Sequence, residues 1–225
     1  AIMPHITSAN IACGFHAGNE SVMRATVQLA KKFGVNVGAH PGWNDRKNFG
    51  RLEMKVPAEE AEEIVFQQIQ ALAEIAKEEG VALTHVKPHG ALYNQTAKDR
   101  GLAQAIARAV KRISVDLILV GLAGSGLCEA GVEAGIKVAG EGFPDRAYNP
   151  DGTLMSRSKA GALIESPKEV SANAIRLIKD GILFGERIAR VETLCLHGDH
   201  PNAAENAKLL RETLTKSGIE VVGLK

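Results

Sequence analysis

Residues 83–90 read LTHVKPHG, a short extended segment whose two faces differ in polarity. His85, Lys87 and His89 lie on one face, because side chains alternate along a strand. Further apolar runs show the same alternation, with polar or small residues on one face: Asn36, Gly38 and His40; Cys195 and His197; Ser8 and Asn10. Polar groups on separate strands need hydrogen-bonding partners or water. We therefore predict that these faces line the interior of a β/α barrel. The alternative is a strand edge that faces solvent.

The rest of the chain alternates short apolar runs with longer amphipathic stretches, as repeated β/α units do. Seven runs are predicted strands: Ile6–Ala12, Val35–Ala39, Leu83–Val86, Asp116–Gly121, Ile136–Gly140, Thr193–Leu196 and Ile219–Leu224. The predicted helices lie between and around them: Ser21–Phe33, residues 57–80, Lys98–Arg112, Gly124–Ala134, residues 166–180 and Asn202–Ser217. The sequence thus predicts an α/β fold, a seven-stranded, TIM-like β/α barrel, as a single domain over residues 1–225. An open doubly wound sheet satisfies the same order of elements.

Composition and charge argue against several classes of partner. The 225 residues carry 27 Lys and Arg against 26 Asp and Glu, and this net charge of +1 creates no field that attracts nucleic acid or an anionic membrane. The longest apolar run, Leu117–Ala123, is far shorter than the roughly 20 residues of a membrane-spanning helix. Three cysteines without C-x-x-C spacing disfavour a disulfide framework, so we expect a cytoplasmic protein.

Histidines and charged residues collect where the predicted strands end, which is where β/α barrels form their active sites. The candidates are His16, His40, Asp45, Arg46, Lys87, His89, Asp145, Arg146, Arg157, His197 and Asp199. Imidazoles with a carboxylate hold Zn²⁺ or another divalent ion, or act without a metal as general acid and base. Lys87 between two histidines suits anion binding or ready loss of its proton. Arginines at this edge suit a substrate carboxylate or phosphate, which a guanidinium pairs in bidentate fashion.

Common nucleotide-binding and nucleophile signatures do not occur in the sequence. Residues 121–126 read GLAGSG after a predicted strand, but this spacing is not G-x-G-x-x-G and is a weak indication of a phosphate site. No G-x-x-x-x-G-K-[ST] occurs, and Ser125 does not lie in G-x-S-x-G. A nucleotide site of this chain therefore cannot be argued from a motif.

Several long motifs, in order along essentially the whole chain, resemble the LamB/YcsF family, the family of the A subunits of 5-oxoprolinase. They occupy residues 6–19 (ITSANIACGFHAGN), 37–41 (VGAHP), 45–51 (DRKNFGR), 85–94 (HVKPHGALYN), 143–148 (FPDRAY), 151–157 (DGTLMSR) and 195–199 (CLHGD). The resemblance implies an irregular seven-stranded β/α barrel of the glycoside hydrolase/deacetylase type. It also implies a hydrolase of a cyclic amide, which opens 5-oxoproline to L-glutamate with ATP and two partner subunits.

On this resemblance, roles are assigned to the candidate residues as hypotheses. His40, Lys87 and His89 surround the reacting carbonyl as acid, base or electrostatic stabiliser, and Asp199 orients His197. Residues expected to bind substrate are Asn10, Asp45, Arg46, Asp145, Arg146 and Arg157. A divalent metal, if the site uses one, is assigned to His16, His40 and His89. Since the sequence shows no nucleotide loop, we expect the partner subunits to phosphorylate the ring and this chain to hydrolyse the activated form.

The start of the chain departs from the family pattern. Family members begin with a strand that carries Asn-x-Asp-Leu-Gly-Glu, whereas this sequence begins Ala1-Ile2-Met3-Pro4. We therefore expect a first strand with an acidic residue to precede Ala1. Two other functions stay open: a metal-dependent deacetylase of sugars or amides on the same barrel, and a non-catalytic subunit that binds a ligand or organises its partners. A homo-oligomer is also compatible with the sequence.

Overall fold

The structure, a computed structural model, describes residues 1–184, 186–198 and 202–225. The strands are β1 (Ser8–Ala12), β2 (Asn36–His40), β3 (Leu83–Val86), β4 (Ile118–Leu122), β5 (Lys137–Gly142), β6 (Ile182–Phe184), β7 (Arg187–Ala189) and β8 (Thr193–Leu194). The helices are α1 (Glu20–Phe33), α2 (Ala58–Glu78), α3 (Gly90–Thr96), α4 (Arg100–Ile113), α5 (Gly126–Glu133), α6 (Pro167–Asp180) and α7 (Ala203–Lys216), with a short 3-10 helix at Met3–His5. The predicted α/β fold is confirmed.

The chain forms two compact units. The larger unit comprises Ser8–Gly121, Ser125–Val138 and Gly223–Lys225, and the smaller unit comprises Ala1–Thr7, Leu122–Gly124 and Ala139–Val222. The single domain over residues 1–225 stays a prediction. No helix in the described part of the chain is long and apolar enough to cross a membrane.

In the larger unit, β1, β2, β3 and β4 pair in that order, all parallel. Ala12 lies opposite His40 in the β1–β2 register. Backbone hydrogen bonds continue beyond the end of β3, where Lys87 N–H donates to Ala39 O at 2.9 Å and His89 N–H donates to Pro41 O at 2.8 Å. These bonds bring the end of β2 and the segment after β3 to the same edge of the sheet.

Helices α1, α2 and α4 bury the apolar stripes that their sequences predict. In α2 the buried positions recur at helical spacing: Ala61, Val65, Gln68, Ile69, Leu72, Ile75 and Ala76. Gln68 is the polar member of this stripe, and its side chain accepts from Gly42 N–H at 3.0 Å and donates to Gly42 O at 2.9 Å. Because both backbone groups of Gly42 are thereby satisfied, α2 fixes the loop that follows β2.

In the smaller unit, β5 pairs in parallel with β8, and β6 pairs antiparallel with β7. Helices α6 and α7 pack through a cluster of buried residues: Ala174, Leu210 and Leu214. Between β5 and α6 the chain folds into a long loop with isolated bridges, Arg146 to Leu163 and Tyr148 to Leu154. Neither the β6–β7 hairpin nor, in the larger unit, α3 was expected from the sequence, because each is too short for its periodicity to be read.

The seventh predicted strand, Ile219–Leu224, is wrong. The segment follows α7 and has no strand structure. Ile219 and Val221 instead pack on the apolar cluster between α6 and α7. The alternating apolar residues of this segment therefore cover a helix pair instead of forming a strand.

Candidate functional site

Three of the predicted histidines lie against one another in the larger unit. His16 comes from the loop after β1, His40 ends β2, and His89 directly precedes α3. The rings of His16 and His89 are stacked, with centroids 3.9 Å apart and planes 2° apart. The ring of His40 meets His89 edge-on at 4.9 Å. The predicted grouping of residues at the ends of parallel strands is thus observed for these side chains.

The hydrogen bonds of His40 and His89 require a specific number of ring protons. Nδ1 of His40 lies 2.6 Å from Lys87 O, and Nε2 of His89 lies 2.8 Å from Phe49 O. Carbonyl oxygens only accept, so both of these nitrogens carry a proton. The inner nitrogens, Nε2 of His40 and Nδ1 of His89, are 3.0 Å apart, and a hydrogen bond between them needs a third ring proton. Two neutral imidazoles carry only two protons, so all three hydrogen bonds form when the pair holds one positive charge.

Burial and the neighbouring charges decide which ring holds the extra proton. Burial lowers the pKa of His40 well below its usual value, and the charges of Lys87 and His89 lower it further. His89 is only partly buried. Of the two rings, His40 is therefore the one that resists protonation. Burial, His89 and Arg46 lower the pKa of His16 to about 3, so His16 is a neutral ring at neutral pH.

Lys87 is a buried cation beside this pair. Its side chain is 5% exposed, and its ammonium group lies 5.7 Å from the centroid of the Tyr93 ring. On the same face of β3, burial and the charge of Lys87 lower the pKa of His85 to about 4. Nε2 of His85 lies 3.0 Å from Oδ1 of Asn10, which was a predicted substrate ligand and here accepts from this ring. Lys87 is thus placed between imidazoles whose pKa values it depresses.

The loop that carries Asp45 and Arg46 closes around the histidines. Arg46 donates through Nη2 to Gly14 O at 2.6 Å and also to Gly18 O, which joins this loop to the one after β1. Oδ1 of Asp45 accepts from the backbone and side chain of Asn48 at 3.2 and 2.8 Å. Both residues thus have partners within the loops, and their predicted contact with substrate stays a prediction.

The three histidines do not fit a metal ion in this arrangement. Among the residues that the structure describes, no three His, Cys, Asp or Glu side chains are placed to hold one. The nitrogens of His40 and His89 are engaged with each other and with backbone carbonyls. The rings of His16 and His89 lie in nearly parallel planes, and an imidazole binds a metal in the plane of its ring, so stacking does not direct these two rings to one ion.

A second cluster of predicted residues lies within the smaller unit. Nδ1 of His197, just after β8, is 2.7 Å from Oδ2 of Asp145, in the loop after β5. Nε2 of His197 is 3.0 Å from Nη2 of Arg157. The sequence-based hypothesis assigned the orientation of His197 to Asp199, which lies outside the described residues. In the structure Asp145, predicted only as a substrate ligand, contacts His197.

The two arginines of the long loop differ in their surroundings. Arg146 is 6% exposed and donates to Met155 O at 2.5 Å and to Ala162 O at 3.4 Å. Burial and the charge of Arg157 lower the pKa of Arg146, against the attraction of Asp145. Arg157 is exposed. Arg146 therefore holds the loop together, and Arg157 is the better placed of the two to meet an anion.

The neutral state of His85 predicts how stability depends on pH. A histidine whose pKa is about 4 in the folded chain and roughly 6.5 in the unfolded chain binds its proton first in the unfolded chain. The free energy of unfolding should therefore fall as the pH drops below about 6.5, by up to about 1.4 kcal/mol per pH unit from this residue. Urea unfolding at about pH 7 and about pH 5 measures it.

The matched variant is His85→Gln, which keeps a polar side chain that does not titrate. Its loss of stability between the two pH values should be smaller than that of the natural protein by the contribution of one histidine. Equal losses in both proteins would contradict a neutral, buried His85.

Comparison with known proteins agrees with the motifs. The model of the LamB/YcsF family matches residues 1–225. A relative from Pyrococcus abyssi, named as the A subunit of 5-oxoprolinase, is 50% identical over 228 residues, which cover 100% of this chain and 89% of the relative. A relative of the same name from Alkaliphilus metalliredigens is also 50% identical, over 99% of this chain and 89% of the relative. The crystal structure of a lactam utilization protein from Thermus thermophilus matches with a TM-score of 0.90 and 44% identity, over 100% of this chain and 91% of that one. The chain therefore belongs to the LamB/YcsF family.

Proposed function

We propose that this chain is the A subunit of an ATP-dependent 5-oxoprolinase and catalyses the hydrolytic opening of the ring. The observation that carries the assignment is the buried Lys87 beside the hydrogen-bonded His40–His89 pair. Relatives with about half of their residues identical over the whole chain are named as the A subunit of 5-oxoprolinase. The substrate is inferred from the name of these relatives, and Lys87 with the His40–His89 pair provides groups suited to opening its ring.

Ring opening has chemical requirements that this cluster meets. Water adds a hydroxyl group to the carbonyl carbon, the bond from that carbon to the ring nitrogen breaks, and the nitrogen takes up a proton. Negative charge develops on the carbonyl oxygen as water attacks, and a fixed cation at that position lowers the barrier. The leaving nitrogen needs a general acid. We propose that Lys87 stabilises the oxyanion. We propose that the His40–His89 pair is the general acid: it gives its third proton to the leaving nitrogen and becomes neutral.

Activation by ATP is assigned to two partner subunits. A lactam is a resonance-stabilised amide, so coupling its opening to ATP hydrolysis drives the reaction toward glutamate. The sequence lacks a Walker loop, and we therefore propose that the partners transfer a phosphoryl group from ATP to the lactam oxygen and release ADP. On this chain one water then adds to the ring carbon and the carbon–nitrogen bond breaks, which leaves an acyl phosphate. A second water adds to the carbonyl carbon of that acyl phosphate, where Lys87 stabilises the oxyanion, and phosphate leaves to give glutamate. A closed, irregular seven-stranded barrel of the glycoside hydrolase/deacetylase type is the architecture we propose for the protein. The cytoplasmic location remains a prediction.

Reconstitution tests the assignment directly. The chain is mixed with its two partner subunits, 5-oxoproline and ATP, and glutamate and ADP are measured over time. We expect glutamate only when all three proteins and ATP are present, with one ADP formed per glutamate. The proposal would be overturned if the complete mixture consumed ATP but formed no glutamate. It would also be overturned if the partners released glutamate without this chain. Deacetylase activity on an N-acetylated sugar without the partners would favour the alternative enzyme.

A further inference from the structure

The contact between Arg157 and His197 determines which nitrogen of the imidazole carries its proton. A guanidinium only donates hydrogen bonds and keeps its charge at all ordinary pH values. Since Nη2 of Arg157 lies 3.0 Å from Nε2 of His197, Nε2 must accept and therefore carries no proton. The proton of the neutral ring then sits on Nδ1 and is donated to Oδ2 of Asp145 at 2.7 Å.

This arrangement is that of a general base whose lone pair is covered. A carboxylate on Nδ1 fixes the orientation of the ring, as in hydrolases that use a histidine base. Arg157 donates to the lone pair of Nε2, so that nitrogen cannot accept a proton from another group while the contact lasts. The side chains of His197 and Asp145 are 27% and 25% exposed, so both are partly open to solvent.

The surroundings of Arg157 favour an anion as the group that displaces it. Arg146 and Arg157 are close enough for each charge to act on the other, with Asp145 as the nearby carboxylate that attracts Arg146. Tyr148 and Cys195, the other titratable neighbours, also act on Arg146. Within the described residues the Arg157 guanidinium makes its hydrogen bond only to His197. A carboxylate or phosphate oxygen is a stronger acceptor for a guanidinium than a neutral imidazole is.

We propose that Arg157 is an anion-displaced cap on His197: a carboxylate or phosphate group that engages Arg157 uncovers Nε2, which Asp145 holds ready to take a proton. Anion binding and proton uptake at Nε2 are then coupled. Engagement of Arg157 frees the lone pair of Nε2, and linkage requires that anion binding and proton uptake at this nitrogen favour each other. The choice of ligand rests on the proposed function, since 5-oxoproline carries a carboxylate and the ATP-driven reaction releases phosphate.

Titration calorimetry on the isolated chain tests the coupling without partners or ATP. Inorganic phosphate in one series, and 5-oxoproline in another, are titrated at one pH in buffers of different ionisation enthalpy, which yields the protons taken up per ligand bound. We expect net uptake with at least one of the two ligands. ¹⁵N-histidine spectra, in which His197→Gln identifies the signal, should show Nδ1 protonated and Nε2 bare before the ligand is added, and a shift of Nε2 afterwards.

The variants separate the cap from general electrostatics. Arg157→Met should weaken binding of the responsive ligand by about 10- to 100-fold, as loss of a charged hydrogen-bonding group does, and should abolish proton uptake. Lys159→Met removes an exposed charge from the same loop and should leave both unchanged. Asp145→Asn removes the carboxylate that accepts from Nδ1 and should reduce proton uptake, while Arg157 still keeps the proton of the ligand-free ring on Nδ1.

Three results would overturn the cap. They are proton uptake that persists in Arg157→Met, a proton on Nε2 of His197 in the ligand-free protein, and the absence of proton uptake with both phosphate and 5-oxoproline in the natural protein. The phosphate series is independent of the lactam. Proton uptake with phosphate through His197, together with a reconstituted complex that releases no glutamate, would leave the cap in place and refute the proposed function.

Discussion

Replacing Lys87 with methionine should lower the rate of glutamate release by the reconstituted complex by about 10²- to 10³-fold, the loss typical of one preorganised charge at a developing oxyanion. Methionine has nearly the length of lysine and suits a buried position that is 5% exposed. The fall should lie mainly in kcat, because the charge is needed when negative charge develops on the carbonyl oxygen. Glutamate formation at saturating ATP and varied 5-oxoproline measures it.

A second readout shows whether Lys87→Met has removed the charge or merely unfolded the protein. The charge of Lys87 lowers the pKa values of His85 and His40, so both values should rise in the variant. Histidine NMR titration follows the rise in the folded protein. Lys77→Met, on the exposed side of α2, is the control and should keep full activity. Retention of more than about a tenth of the natural rate by folded Lys87→Met would exclude Lys87 from the chemistry.

Replacing Gly38 with alanine should cost about 3 kcal/mol of the free energy of unfolding, at the upper end of the penalty for overpacking a core. A methyl carbon at this position of β2 would lie 2.0 Å from Nε2 of His85, much closer than two such atoms can approach. The ring cannot withdraw easily, because it is 1% exposed and its Nε2 is held by Asn10. Urea unfolding at neutral pH measures the change.

Two further variants test the cause of that loss. Gly101→Ala adds a methyl group near the start of α4 at ordinary contact distance, 3.5 Å from the Asp99 side chain, and should be neutral or slightly stabilising. His85→Ala removes the ring, so Gly38→Ala should cost much less in that background than in the natural protein. Additive effects of the two substitutions would show that the ring is not what the new methyl group meets.

Much of the fold followed from local pattern. The buried stripe of α2 and the alternation in residues 83–90 recur at the spacing that helices and strands require, so six of the seven predicted strand runs contain strands. The errors fall where pattern is ambiguous. Ile219–Leu224 alternates like a strand, but its apolar residues cover α6 and α7. Helix α3 and the β6–β7 hairpin have only seven and three residues per element, too few for a period to be recognised.

The grouping of His16, His40, Lys87 and His89 could also be anticipated, because parallel strands end at a common edge of their sheet. The hydrogen bonds of the site residues could not be anticipated. The contact between Asp145 and His197 is an example, because these residues are 52 positions apart and the hypothesis drawn from the sequence named the nearer Asp199 as the residue that orients His197. Likewise, nothing in the sequence separates Arg146, which holds its own loop, from the exposed Arg157.

The sequence by itself determined the α/β fold, most of its elements, and a family whose motifs contain the reactive residues. Those properties depend on side-chain periodicity and on residue identity, both of which are local. Only the tertiary structure decided that the His40–His89 pair needs a third proton, that Lys87 is buried beside it, and that Arg157 covers His197. Protonation and hydrogen bonding depend on distances of about 3 Å between atoms remote along the chain, and such distances exist only after the chain has folded.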